Sequence, residues 1–134
     1  MSGFALIYLI FIVGLLVYLG YQAYFWLVRR QVAKVLSKEE FQETMHQAQI
    51  VDVRESQEFR SAHIYGARNV PYSSVRQTGQ VPGFNRSQPI YLYDNGVNIA
   101  TRMAQRLKKQ NYDKVYILRG GFAQWEGKTK RLDD

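Results

Sequence analysis

The first 28 residues carry no charged side chain, and Phe4 to Leu19 is almost unbroken in apolar character. A helix rises about 1.5 Å per residue, so roughly 20 apolar residues cross about 30 Å of hydrocarbon. Residues 4–28 supply 25. Lipid offers the backbone no hydrogen-bond partner, so a lone segment crosses it as a helix. The pattern predicts one transmembrane helix over residues 4–28. Residues 1–30 then form an anchor that ends on a basic stop, Arg29-Arg30.

Beyond Arg30 the apolar positions fall into short runs. Residues 29–36 read as a basic helical link, with 31–36 as the linker to a domain over 37–134. Ser37 and Glu40 have the spacing of a capping box, flanked by Leu36 and Phe41 as a hydrophobic staple. The helix they start runs to about Gln47. Ile50 to Val53 reads as a buried strand, Glu55 to Ala62 as a short polar helix, and Asn69 to Pro71 as an extended piece ended by proline. Residues 77–89 hold Gly79, Pro82, Gly83, Asn85 and Pro89, a surface loop with room for a short helix before it. Pro89 to Tyr93 and Val115 to Leu118 read as strands. Between them Ile99, Met103 and Leu107 recur every four residues, an amphipathic helix over 98–110. Phe122 to Glu126 closes the chain with a helical turn or two. Short apolar strands alternating with helices predict an α/β domain, its small, mostly parallel sheet flanked by helices.

Charge sets the expected orientation. Arg29, Arg30, Lys34 and Lys38 follow the span, and only the α-amino group precedes it. The positive-inside rule then places the N-terminus outside and the C-terminal domain in the cytoplasm. Tyr21, Tyr24 and Trp26 sit at that same end, where amphipathic rings favour the headgroup layer. A cleaved signal peptide would carry a basic amino end and small residues at its cleavage site. Met1-Ser2-Gly3 has no basic side chain, and Tyr21 to Trp26 is bulky.

The net charge is +7. The basic residues are scattered, with no run longer than two and no nucleic-acid motif, so no nucleic-acid partner is expected. Each basic residue near an anionic leaflet is instead worth about 1 kcal/mol. The chain has no cysteine, which excludes disulfides, thiolate metal sites and thiol chemistry.

Several segments resemble one family. Val51-Asp52-Val53-Arg54-Glu55, then Glu58-Phe59, then His63-Ile64-Tyr65-Gly66-Ala67-Arg68-Asn69-Val70-Pro71 resemble the "D-x-R…E-[FY]…G-H-I-P-G-A-x-N-[IV]-P" pattern of the rhodanese-like domain family. Leu118-Arg119-Gly120-Gly121-Phe122-Ala123-Gln124-Trp125 resembles its "L-x-G-G-x-x-x-W" ending. The pieces stand in order across residues 37–127, with Ala62 and Tyr65 departing from the usual Gly and Pro. Asp52, Arg54 and His63 read as structural: the first two pair with neighbours and satisfy loop backbone, and the histidine is hydrogen-bonded in place. Gly66, Gly120 and Gly121 supply backbone freedom, and Trp125 is expected in the core.

The resemblance implies a loop that opens on a catalytic cysteine and cradles an anion or persulfide with converging amides. The matching stretch is Asp94-Asn95-Gly96-Val97-Asn98-Ile99, with Asp94 at the cysteine position. Persulfide transfer needs a polarisable thiolate, and a carboxylate cannot accept and release sulfane sulfur. Asp94 is expected to accept hydrogen bonds from amides such as those of Gly96 or Val97, which would lower its pKa. Arg102, one turn into the helix, reads as a solvated or sheet-flanking residue. The function expected is a catalytically inactive, membrane-anchored rhodanese-like domain, without cofactor or metal. It would bind a protein partner or small anion at the cytoplasmic membrane face, with membrane lipid met through residues 4–28. The alternatives are a hydrolase or phosphate-transfer enzyme using Asp94, for which no second acid lies near in sequence, and an accessory in a sulfur relay.

Overall fold

The computed structural model of the protein describes residues 2–132, and for residues 29–32 the backbone alone. Met1, Asp133, Asp134 and the side chains of Arg29 and Arg30, which carry part of the orientation argument, lie outside the described residues.

The first helix, α1, spans Gly3–Val32. Its Gly3–Val28 segment is long and apolar enough to cross a membrane, and almost all of its side chains are exposed. The helical linker expected over 31–36 is not what forms. The helix continues to Val32, one residue follows, and Lys34–Leu36 is a strand, β1. The physical reason is burial: Ala33 and Leu36 are core residues and Val35 packs on the core, positions that a free linker would expose.

The elements that follow match the alternation. They are α2 (Lys38–Thr44), a 3₁₀ turn (Met45–Gln47), β2 (Gln49–Asp52), α3 (Ser56–Ser61), β3 (His63–Ile64), β4 (Arg68–Asn69) and α4 (Tyr72–Thr78). Then come β5 (Ile90–Tyr93), α5 (Asn98–Lys109), β6 (Val115–Leu118), a 3₁₀ turn (Phe122–Gln124) and β7 (Thr129–Lys130). The main sheet has the order β1-β6-β5-β2-β4, and every pairing in it is parallel. β3 and β7 form a separate antiparallel pair that the sequence reading did not contain. Strands of two residues carry no periodicity to read.

Half of the capping box at Ser37 forms: its Oγ accepts from the Glu40 amide at 3.1 Å. The Glu40 carboxylate accepts from the Ser37 hydroxyl at 3.1 Å, in place of the Ser37 backbone N–H that a full box would use. Leu36 and Phe41 lie in one cluster, as the staple requires.

Both sheet faces are buried, and the two-residue strand period divides them. Val51, Val53, Ile90, Leu92, Val115 and Ile117 face α5, whose Ala100, Met103, Ala104 and Leu107 form its buried stripe. Ile50, Tyr91, Tyr93 and Leu118 face Phe41 and Ile64 on the other side, with Trp125 half-buried against them. Phe41 is wholly buried, 5.0 Å from the Tyr91 ring and 5.6 Å from the Trp125 ring. Phe41→Ala should therefore lower unfolding stability by about 3–5 kcal/mol in denaturant titrations of the detergent-solubilised chain. A loss under about 1 kcal/mol would mean that this face is loosely packed.

Candidate functional site

Ligands of open parallel sheets bind beyond the carboxyl ends of the strands. Here β2, β5 and β6 deliver Asp52, Asp94 and Gly121 to that edge. Asp52 is fully buried, and its carboxylate receives Arg54 Nε at 3.1 Å, Nη2 at 2.9 Å and the Arg54 amide at 2.9 Å. Arg54 Nη2 also donates to Ala62 O at 2.6 Å, and Nη1 to Asn95 Oδ1 at 3.4 Å. Its guanidinium stacks 4.3 Å from the Phe122 ring centre. Asn69 Nδ2 donates to Asp52 O at 3.0 Å and Arg54 O at 2.9 Å, tying β4 to the same turn. His63 is structural as expected: Nδ1 lies 2.7 Å from Phe59 O, and its ring stacks on Phe59 at 3.7 Å.

The loop between β5 and α5 is clamped from below. Asp94 O accepts from the Phe122 amide at 2.7 Å. Gly121 has φ +63°, and a Cβ there would meet Asp94 O at 2.5 Å and Gly96 O at 2.6 Å. Only glycine lets the chain approach this closely.

Asp94 is buried, with 5% of its surface exposed. Its Oδ2 accepts from the Ile99 amide at 2.9 Å, so it caps α5 from outside while Val97, at the cap position, offers no side-chain cap. Of the two amides expected as donors, Gly96 pulls on the carboxylate but the hydrogen bond closes on Ile99, and Val97 takes no part. Asp94 Oδ1 has no hydrogen-bond partner among the described residues. The lowered pKa is also corrected: burial pushes the Asp94 carboxyl up, outweighing the opposing pull of the Ile99, Ala100 and Gly96 amides.

A cavity of about 620 Å³ opens here. Of the six loop residues singled out in the sequence, it takes Asp94, Asn95 and Ile99. Gly96 and Asn98 are exposed outside its lining, and Val97 packs on the core. The sequence missed Glu55, Glu58, Ser73, Arg76 and Gln77, and it gave Arg102 no part in a site. These come from α3, α4 and α5, which only the packing of the three helices brings together. Glu58 Oε2 accepts from Asn95 Nδ2 at 2.5 Å, and Glu55 Oε2 from Ser73 Oγ at 3.1 Å. The second acid not seen near Asp94 in sequence is thus present in the cavity. Even so, no group of three acidic or imidazole side chains among the described residues is placed to hold a metal.

A family model described as "Rhodanese-like domain" matches residues 37–128. The Bacillus subtilis (strain 168) protein YqhL is 38% identical over 105 residues, 78% of this chain and 82% of that protein. A thiosulfate sulfurtransferase from Pseudomonas aeruginosa is 31% identical, with TM-score 0.60 over 74% of this chain but 20% of that one. A rhodanese-like domain protein from Staphylococcus aureus superposes with TM-score 0.65 at 20% identity, covering 75% of this chain and 99% of that one.

The raised Asp94 pKa sets a pH dependence. A carboxyl whose folded pKa exceeds its ordinary 3.8 is least costly to the fold when protonated, and stability falls as pH rises through the folded value. Asp94→Asn removes this titration. In thermal melts from pH 7 down to pH 4, the unmodified chain should gain stability relative to the variant. A gap that stays flat, or moves the other way, would contradict burial as the dominant influence.

Proposed function

The chain belongs to the rhodanese-like domain family, and from that membership we propose that it is a membrane-anchored, non-catalytic binding module. The observation that supports this is Asp94. It stands where the family's chemistry calls for a thiolate, buried, with its carboxylate already engaged by the amino end of α5. Sulfur transfer would form a bond from a thiolate sulfur to the sulfane atom. No side chain of this protein can supply that sulfur, because it has no cysteine. The cavity is intact, with charged groups of both signs on its walls. Its use in this reading is to hold a ligand or a protein partner.

The anchor belongs to the same reading. α1 spans the bilayer through Gly3–Val28, and the domain lies on the cytoplasmic side, where Arg29, Arg30, Lys34 and Lys38 favour it. A hydrolase acting through Asp94 draws less support. Glu58 and Glu55 are each engaged by a neutral side chain, and Asp94 Oδ2 by a backbone amide.

Two measurements test the proposal. Purified full-length chain should give no thiosulfate:cyanide sulfurtransferase turnover above buffer; a rate that survives repurification and disappears in Asp94→Ala sinks the non-catalytic reading. A reporter fused after Asp134 that is active only when exported should stay silent, and an active one reverses the orientation.

A further inference from the structure

We propose that the cavity opens onto the bilayer and takes the zwitterionic headgroup of a membrane phospholipid bearing a phosphodiester and a primary ammonium. The inference rests on the anchored reading above and gives its ligand a chemical class.

The direction of the cavity follows from how α1 meets the domain. Only Ala33 separates α1 from β1, and Ala33 is buried with α5 in one cluster. β1 starts level with the start of β6, at the amino edge of the sheet, since Lys34 pairs with Tyr116. Seven residues earlier than Val32, Phe25 lies 6.0 Å beneath the Arg102 guanidinium, near the start of α5. Phe25 and Val28, three apart on one helix face, are half-buried while Tyr24, Trp26 and Leu27 are exposed. The last two turns of α1 therefore run alongside α5, and the helix leaves the domain at the carboxyl edge of the sheet, the edge that carries the cavity.

Lengths agree with this. At about 1.5 Å per residue, Tyr21 stands about 6 Å beyond Phe25, roughly level with the amino end of α5. Gly3 to Gly20 then extends about 27 Å further, close to the hydrocarbon thickness of a bilayer. Tyr21, Tyr24 and Trp26, all exposed, fall in the headgroup layer. Asp94, Asn95 and Ile99, which line the cavity, surround that same amino end of α5.

The charges inside fit a dipolar ligand. Arg54 is committed to Asp52. Arg76 on α4 and Arg102 on α5 have no carboxylate partner among the described residues. Glu55 and Glu58 line the same cavity; each accepts one hydrogen bond from a neutral side chain and keeps unused lone pairs. Two arginines without a carboxylate partner among the described residues and two carboxylates thus share one cavity. A phosphate monoester, with nearly two negative charges, would be repelled by the carboxylates. A phosphodiester has a single charge for the arginines, and an ammonium on the same headgroup donates to Glu55 and Glu58. A trimethylated ammonium has no N–H to give.

The absence of cysteine makes the test direct. Full-length Gln77→Cys, with its single thiol on the cavity wall, is placed in nanodiscs of phosphatidylcholine alone, or with half phosphatidylethanolamine or half phosphatidylglycerol. Labelling by a water-soluble maleimide is timed, with Ser61→Cys as the control. The ethanolamine lipid should slow labelling of position 77 at least several-fold relative to phosphatidylcholine. Adding Arg76→Gln and Arg102→Gln should restore the phosphatidylcholine rate, and position 61 should not respond. Equal rates in the ethanolamine and choline lipids, whether fast or slow, overturn the proposal without touching the anchor. Equal protection by phosphatidylglycerol replaces it with a simple anion site. Equal protection by soluble glycerophosphoethanolamine in detergent transfers the ligand from the lipid to solution, and so overturns it as well. A chain that fails to enter the discs removes the anchor, and the inference with it.

Discussion

The ion pair between Asp52 and Arg54 holds the functional edge of this domain together. Asp52 is entirely out of water and Arg54 nearly so. A buried charge without a partner is costly, and removing one member of such a pair typically costs about 3–5 kcal/mol. Burial forces the two side chains into one geometry, and other contacts follow from it. The guanidinium is held flat over Phe122, one nitrogen reaches Ala62 O at the end of α3, and another reaches Asn95 in the loop after β5. Two near neighbours in sequence, Asp52 and Ala62, and two distant ones, Asn95 and Phe122, thus share one cation. The pair stabilises the edge less through its own attraction than by making every alternative arrangement leave a charge unsatisfied.

With that frame in place, the loop at Asp94 has little freedom. Gly121 lies against its backbone and Phe122 donates to Asp94 O, so the loop stays formed although its side chain is not a thiol. The Asp94 carboxylate caps α5 from this loop through the Ile99 amide. Burial raises the affinity of this carboxylate for a proton while the helix amides favour its charge. Burial wins because Oδ1 receives no hydrogen bond to repay its lost water.

The long apolar helix α1 is built into the domain. Because α1 passes into β1 through one buried residue, its last turns pack on α5, and Arg102 belongs to both the cavity wall and the surface that meets α1. A flexible linker would let the cavity point anywhere. A continuous helix and an adjoining strand give it one orientation and one depth relative to the apolar span.

The long apolar helix and the α/β alternation were legible because both rest on local periodicity: an uncharged apolar run, the four-residue spacing of Met103 and Leu107, and strands buried on both faces. Ile99, in the same series, lies exposed at the cavity rather than on the buried stripe of α5. The Ser37 cap and the structural roles of Asp52, Arg54 and His63 were legible for a similar reason, since each is satisfied mainly by neighbours within eight residues. β1 was not, because three residues beside a helix become a strand only when β6 is there to pair with them. Nor were Glu55, Glu58, Arg76 and Arg102 legible as one cavity. Their side chains lie on three helices and carry no mutual spacing, and only the packing of those helices over the sheet edge brings them together. Even the direction of the Asp94 pKa depended on tertiary structure. Sequence placed the carboxylate next to helix amides, but how far water is excluded from it was decided by the chain that folds over it.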